Sequence, residues 1–133
     1  MSVRYLRLDE VLRIHELLML VERQTAVLID REKLSSALLR PSAAAFGSEF
    51  YPSLAEKAAA LLQGIVIAHP FVDGNKRAGL GALLAFLMAN GVPLSADEEL
   101  LYDLVLAVTT GQLREVEDIA DQIQRIFTPH LGA

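Results

Sequence analysis

Cysteine is absent from the 133 residues, so the chain has no disulfide framework and no thiolate metal site, which suits a reducing cytoplasm. Positive charge is in deficit: 12 lysines and arginines against 17 aspartates and glutamates give a formal net charge of -5. That sign, with an isoelectric point near 5.1, argues against broad nucleic-acid binding and against attraction to anionic membranes, while leaving room for a local cationic pocket. Long hydrophobic runs are missing as well. The longest uncharged one near the middle, Ala78 to Ala89, is too short to span a bilayer and fits a helix buried on most sides. Arg4, Arg7, Asp9 and Glu10 interrupt what would have to be the apolar core of a signal peptide. The expectation is a soluble, cytoplasmic protein without a membrane partner.

What is present is apolar material enough for a core. Hydrophobic residues make up 53% of the chain and the mean hydropathy is +0.36, which excludes disorder and points to one domain over residues 1–133. Val11, Leu12, His15, Leu18, Met19 and Glu22 recur at helical spacing and predict an opening helix from about Asp9 to Glu22. Asp30 is placed to cap a short second helix that runs to Leu39 and is stopped by Pro41. The following PSAAAFGSEFYP, with Phe46, Phe50 and Tyr51 around Gly47, suits an irregular loop or a small hairpin with exposed aromatics. Ser53 and Glu56 form a capping-box pattern for a helix to about Ala68.

A further helix is expected from Asn75, ending at Gly91 with Pro93 beyond. Gly79, Gly81 and the alanines at 78, 82, 85 and 89 give it small faces for close packing, which must offset about 1 kcal/mol of helix propensity per interior glycine. Ser95 with Glu98 suggests a capping box for a helix to about Thr110, striped by Leu101, Leu104, Val105 and Val108. A last helix, about Arg114 to Phe127, carries Val116, Ile119, Ile123 and Ile126. The charge cluster from Arg114 to Asp118 fits a solvated helix start. With no repeat or linker, an all-α domain is the simplest architecture.

Between two of these helices stands HPFVDGNKRAG, residues 69–79. Pro70 biases His69 out of helical angles, placing the histidine at a helix exit. Asn75 is a favourable N-cap, and with Lys76 and Arg77 behind it, free backbone N–H groups, the positive helix end and two cationic side chains converge into an anion site. Each residue alone has an ordinary structural role: Asp73 as a turn acceptor, Asn75 as a cap, His69 as a packed ring. Together they fit phosphate chemistry. Mg²⁺ beside nucleotide phosphates needs only one or two protein carboxylates, so Asp73 suffices. The cations would hold phosphate oxygens while His69 accepts a proton from an attacking hydroxyl. The P-loop pattern is absent, because Lys76 has neither its glycine spacing nor a following Ser or Thr.

HPFVDGNKR resembles the signature of the Fic/Doc superfamily, and its Asn-Lys-Arg form resembles the Doc branch, toxins of type II toxin–antitoxin modules. The likeness extends over about residues 5–127, through LSSALLRP, FGSEFYPSLAEKAAALL and NGVPL. It implies a compact Fic-type helical domain of about six helices with a short flap or hairpin before the catalytic helix. Fic enzymes transfer AMP from ATP with HxFx[DE]GNGRxxR, whereas Doc-type members are protein kinases that transfer the γ-phosphoryl group to a hydroxyl of a translation factor, elongation factor Tu. Here Lys76 replaces the motif's second glycine and Leu80 its second arginine, and both changes favour phosphoryl transfer.

The resemblance implies His69 as general base, Asp73 as Mg²⁺ ligand, Gly74, Asn75, Lys76 and Arg77 as the nucleotide phosphate-binding set, and Phe71 as the buried anchor of the loop. It makes Phe46, Phe50 and Tyr51 flap residues that meet the protein target by strand-like pairing, against the alternative that they only pack the loop. His15, on a mostly apolar face, fits a satisfied core histidine better than a ligand. His130 fits a frayed, inert tail. Ala78-Gly79 departs from the Thr-Ala usual after Asn-Lys-Arg in Doc sequences, which bears on activity. The inhibitory [ST]xxxE[GN] motif of many Fic enzymes is not evident, since Ser95 to Glu99 is followed by Leu100. A separate antitoxin with a disordered segment that folds on binding is therefore the expected partner. Two alternatives stand beside the kinase: an AMP-transferase, and a catalytically weak antitoxin-binding regulator.

Overall fold

A computed structural model describes residues 2–128 and residue 131; His130 lies outside the described residues. The expected opening helix is α1, Leu8–Val21, and Glu10 reaches back to accept from the Arg7 N–H at 2.9 Å. α2, Arg31–Leu39, starts where the Asp30 carboxylate accepts from Lys33 N–H at 3.0 Å. Pro41 then sits inside a single 3-10 turn, Arg40–Ser42. Two-residue strands β1, Ala44–Ala45, and β2, Ser48–Glu49, pair antiparallel with Ala44 opposite Glu49 and Ala45 opposite Ser48. The aromatic stretch is thus a hairpin. Its two turn residues, Phe46 and Gly47, have φ of 54° and 79°, the positive pair that a tight hairpin demands.

The Ser53–Glu56 capping box opens α3, Leu54–Ala68. α3 is the central helix: from Ala55 to Val66 only Glu56 escapes full burial, and α2, α4, α5 and α6 all pack on it. α4, Asn75–Ala89, crosses α3 and α1 through its small residues. A Cβ at Gly79 would stand 2.8 Å from Val66 Cγ2, and one at Gly81 2.7 Å from Ile14 Cγ2. The expected C-terminal signal holds, with Gly91 at φ 87° and Val92 N–H bonded to the Leu87 carbonyl at 2.9 Å.

Three start points differ from the sequence expectation. α4 is capped by Gly74, with Asn75 already its first helical residue. α5, Glu98–Thr110, is capped by Asp97, whose carboxylate accepts from Glu99 N–H at 2.8 Å; Ser95 lies too early in the chain to reach those donors. α6, Val116–Ile126, starts two residues late because Arg114 belongs to the preceding turn, where its Nε donates to the Gly111 carbonyl at 2.9 Å. The result is an all-α domain, and the hairpin is its one named sheet among the described residues. No helix of the described residues is long and apolar enough to cross a membrane.

Candidate active site

α3 ends at His69, which takes the left-handed conformation (φ 52°, ψ 56°) as the C-cap. Pro70 ends the helix there as expected, but the backbone turns left-handed instead of extended, a conformation histidine tolerates better than most residues. The turn leaves the imidazole exposed at the rim while Pro70 and Phe71 go inward. Phe71 is 1% exposed.

Three neighbours fix the loop around that ring. On one edge, residues 27–30 run antiparallel to it: Val72 N–H donates to the Val27 carbonyl at 3.0 Å and Ile29 N–H to the Pro70 carbonyl at 2.8 Å, flanking a Leu28–Phe71 bridge. On the other edge, Asn75 Oδ1 accepts from Phe71 N–H at 3.0 Å and Nδ2 donates to the Phe71 carbonyl at 2.9 Å. Underneath, His15 stacks on the Phe71 ring at 3.6 Å between centroids, with Nε2 2.8 Å from the Asp73 carbonyl oxygen. His15 is the satisfied core histidine that its helix face suggested. Its place beneath the loop depends on the α1–α4 packing and carried no sequence signal.

Gly74 has φ 79° and is buried. A Cβ there would lie 2.6 Å from Met19 Sδ and 3.1 Å from His15 Nε2, so both conformation and space require glycine. From this cap α4 presents its unpaired first N–H groups at the loop. Asn75 corrects the capping expectation: its amide is committed to Phe71, so it shapes the loop and leaves the end N–H groups open.

Over the loop lies a cavity of about 500 Å³ lined by His69, Asp73, Gly74, Asn75, Lys76 and Arg77, within the usual range for small-molecule sites. The motif's polar residues are thereby brought together. An apolar wall faces them: Val66 and Leu80, with Tyr102, Val105, Leu106 and Thr109 from α5. The α5 residues were missed in the sequence. Their spacing is helical, yet only tertiary packing shows that this stripe meets the loop. Ala78 and Gly79 do not line the cavity; both are buried, with Gly79 against Leu62 and Val66 of α3.

Arg77 Nη1 is buried and makes no hydrogen bond; the nearest carboxylate oxygen, Glu22 Oε1, is 3.8 Å away. Such an orphaned donor beside free helix N–H groups fits an anionic ligand. No group of three or more His, Asp or Glu side chains among the described residues could hold a metal alone. Asp73 is a single carboxylate, and its Oδ1 already accepts from Gly74 N–H at 2.7 Å. That donor set suits Mg²⁺ completed by phosphate oxygens and water.

The hairpin lies elsewhere. Its Glu49 is tied to Lys57 by a 2.8 Å ion pair, twelve residues before His69, or about 18 Å along the α3 axis. Phe46, Phe50 and Tyr51 do not line the cavity. Phe46 is fully exposed and Phe50 largely so, while the Tyr51 hydroxyl lies 3.4 Å from Arg40 Nη2.

His69, Asp73 and a cationic helix start surround one cavity in an all-α fold, and the chain belongs to the Fic/DOC family, whose model matches residues 5–87. Among curated proteins it is similar to Toxin Doc of Mycolicibacterium smegmatis, with 50% identity over 64 residues. The match covers 48% of this chain and 49% of that protein, so it spans about half the length of the relative.

Proposed function

We propose that this chain is a Doc-type toxin acting as an ATP- and Mg²⁺-dependent protein kinase, with a hydroxyl of elongation factor Tu as the acceptor. The observation that carries the reading is that Lys76 and Leu80 both line the cavity. The two positions that separate phosphoryl transfer from AMP transfer in the family thus face one space with His69. An added cation at the helix start strengthens binding of the transferring phosphoryl group, and leucine in place of arginine removes a bidentate grip on the phosphate chain.

In this reading Arg77, Lys76 and the N–H groups at the start of α4 bind phosphate oxygens, and Asp73 holds the cation. When bound, Mg²⁺ supplies neutralising charge on the phosphates. The exposed His69 takes the proton of the acceptor hydroxyl; the hydroxyl oxygen bonds to the γ-phosphorus, the bond to the β–γ bridging oxygen breaks, and ADP leaves. The apolar wall with Tyr102 is suited to the base. Acceptor docking falls to the exposed Val27, Ile29 and Val72 beside the loop more readily than to Phe46, Phe50 and Tyr51, which do not line the cavity.

The likeness to a protein named as a toxin supports the toxin reading and, with it, an antitoxin whose disordered segment folds on binding. It also supports action in the cytoplasm, where translation factors reside. Incubation of the protein with ATP, Mg²⁺ and elongation factor Tu tests the activity: phosphate transfer is expected from the wild type and is abolished by His69→Ala. Transfer that survives His69→Ala would contradict the assignment of the base.

A further inference from the structure

His15 has no part in the chemistry above, yet it touches the loop at its most consequential peptide. The side chain comes from α1 and is 1% exposed. Its Nε2 stands 2.8 Å from the Asp73 carbonyl oxygen, and because a carbonyl only accepts, Nε2 carries the proton and donates. That oxygen belongs to the Asp73–Gly74 peptide unit. The N–H of the same unit donates to Asp73 Oδ1 at 2.7 Å. A peptide unit is planar, so holding its oxygen fixes the direction of its N–H. The direction of the N–H in turn fixes the carboxylate.

We infer that His15 is a positioning residue for the Asp73 carboxylate: through one planar peptide it sets the orientation in which that side chain meets a divalent cation. The inference rests on the reading of Asp73 as the cation ligand. Two features support a role for the donor beyond packing. Stacking on Phe71, with ring planes 13° apart, holds the imidazole in the plane needed to aim Nε2. Gly74, with no side chain, lets the ring approach the peptide, since a Cβ there would come within 3.1 Å of Nε2. Outer partners that orient a metal ligand typically change metal affinity 10- to 100-fold when removed.

The test separates donor from ring. His15→Phe keeps an aromatic surface and loses the donor; His15→Leu loses both; His15→Gln loses the ring and keeps an N–H at similar reach. ATP affinity is measured by calorimetry with Mg²⁺ and with EDTA, and exchange of the Gly74 amide is followed in the ligand-free protein. His15→Phe and His15→Leu are expected to lose about tenfold of the Mg²⁺-dependent gain in ATP affinity, with affinity in EDTA unchanged and Gly74 exchange accelerated. His15→Gln should restore both toward wild type. Equal Mg²⁺-dependent affinity in wild type and His15→Phe, or a His15→Gln protein as weak as His15→Phe, overturns the inference. A wild-type protein whose ATP affinity does not respond to Mg²⁺ refutes Asp73 as a cation ligand, and the inference with it; Gly74 exchange that still accelerates in His15→Phe and recovers in His15→Gln then shows that the failure lies in the metal assignment.

Discussion

Asn75 grips Phe71 by both of its backbone polar groups, accepting from the N–H at 3.0 Å and donating to the carbonyl at 2.9 Å. With residues 27–30 bonded to the opposite edge of the loop, the amide completes a miniature sheet in which a side chain takes the place of a third strand. The loop is thus held by hydrogen bonds on both edges, an arrangement that fixes the backbone on which His69 and Asp73 stand.

Asn75→Ala leaves both buried Phe71 groups without partners, a loss of about 2–3 kcal/mol. Asn75→Asp keeps the acceptor but buries a charge and sets a carboxylate oxygen against the Phe71 carbonyl, so its loss should be at least as large as that of Asn75→Ala. Urea unfolding midpoints should place both variants below wild type, and midpoints equal to wild type would show that the clasp contributes nothing.

Gly74→Ala combines a positive φ with a Cβ 2.6 Å from Met19 Sδ. The strain should cost about 2 kcal/mol or more, and the displaced cap should weaken ATP binding. Gly47→Ala is the internal comparison: its φ is also 79°, but nothing lies within 4 Å of the added Cβ, so unfolding should shift less and ATP binding not at all.

Lys57, 1% exposed, bonds Glu49 of the hairpin at 2.8 Å and the Pro41 carbonyl at 3.3 Å. Burial lowers its pKa, but the hydrogen bonds and charges of Glu49 and Tyr5 outweigh burial and hold the ammonium above its ordinary 10.5. A raised folded-state pKa means the contribution is complete below that ordinary value and is lost as pH rises through the folded one. Stability should therefore fall above about pH 10, and less steeply in Glu49→Gln. Because Glu49 is 49% exposed, Glu49→Ala is expected to cost about 1–2 kcal/mol, below the ~3–5 typical of a fully buried pair. An alkaline limb of equal slope in wild type and Glu49→Gln would remove the ion pair from the account.

Tyr102 lines the cavity from α5 and is largely exposed. If it stacks on the nucleotide base, Tyr102→Ala weakens ATP binding by about 1–2 kcal/mol, roughly 5- to 30-fold, and Tyr102→Phe retains the affinity. Calorimetric titration with ATP measures both; unchanged affinity in Tyr102→Ala would place the base elsewhere.

Local signals in the sequence were strong where the chemistry is local. Asp30, the Ser53–Glu56 box and Gly91 mark helix ends through contacts within a few residues, and all three act as expected. Asn75 misled because capping preference ignores what else an amide can bond: the Phe71 backbone four residues earlier had the greater need, and glycine took the cap. The pairing of residues 27–30 with the loop joins segments some forty residues apart, and the α5 wall depends on helix packing, so neither has a local signature. The hairpin was legible as a hairpin, whereas its position at the far end of α3 from His69 follows from the direction of that helix.

In the proposed reading, Lys76 and Leu80 direct this site toward phosphoryl transfer. Parallel incubations of the protein, Mg²⁺ and elongation factor Tu with ATP labelled at the α- or the γ-phosphate test it directly. Label on the factor from γ-labelled ATP alone is the predicted result, and label from α-labelled ATP would contradict it.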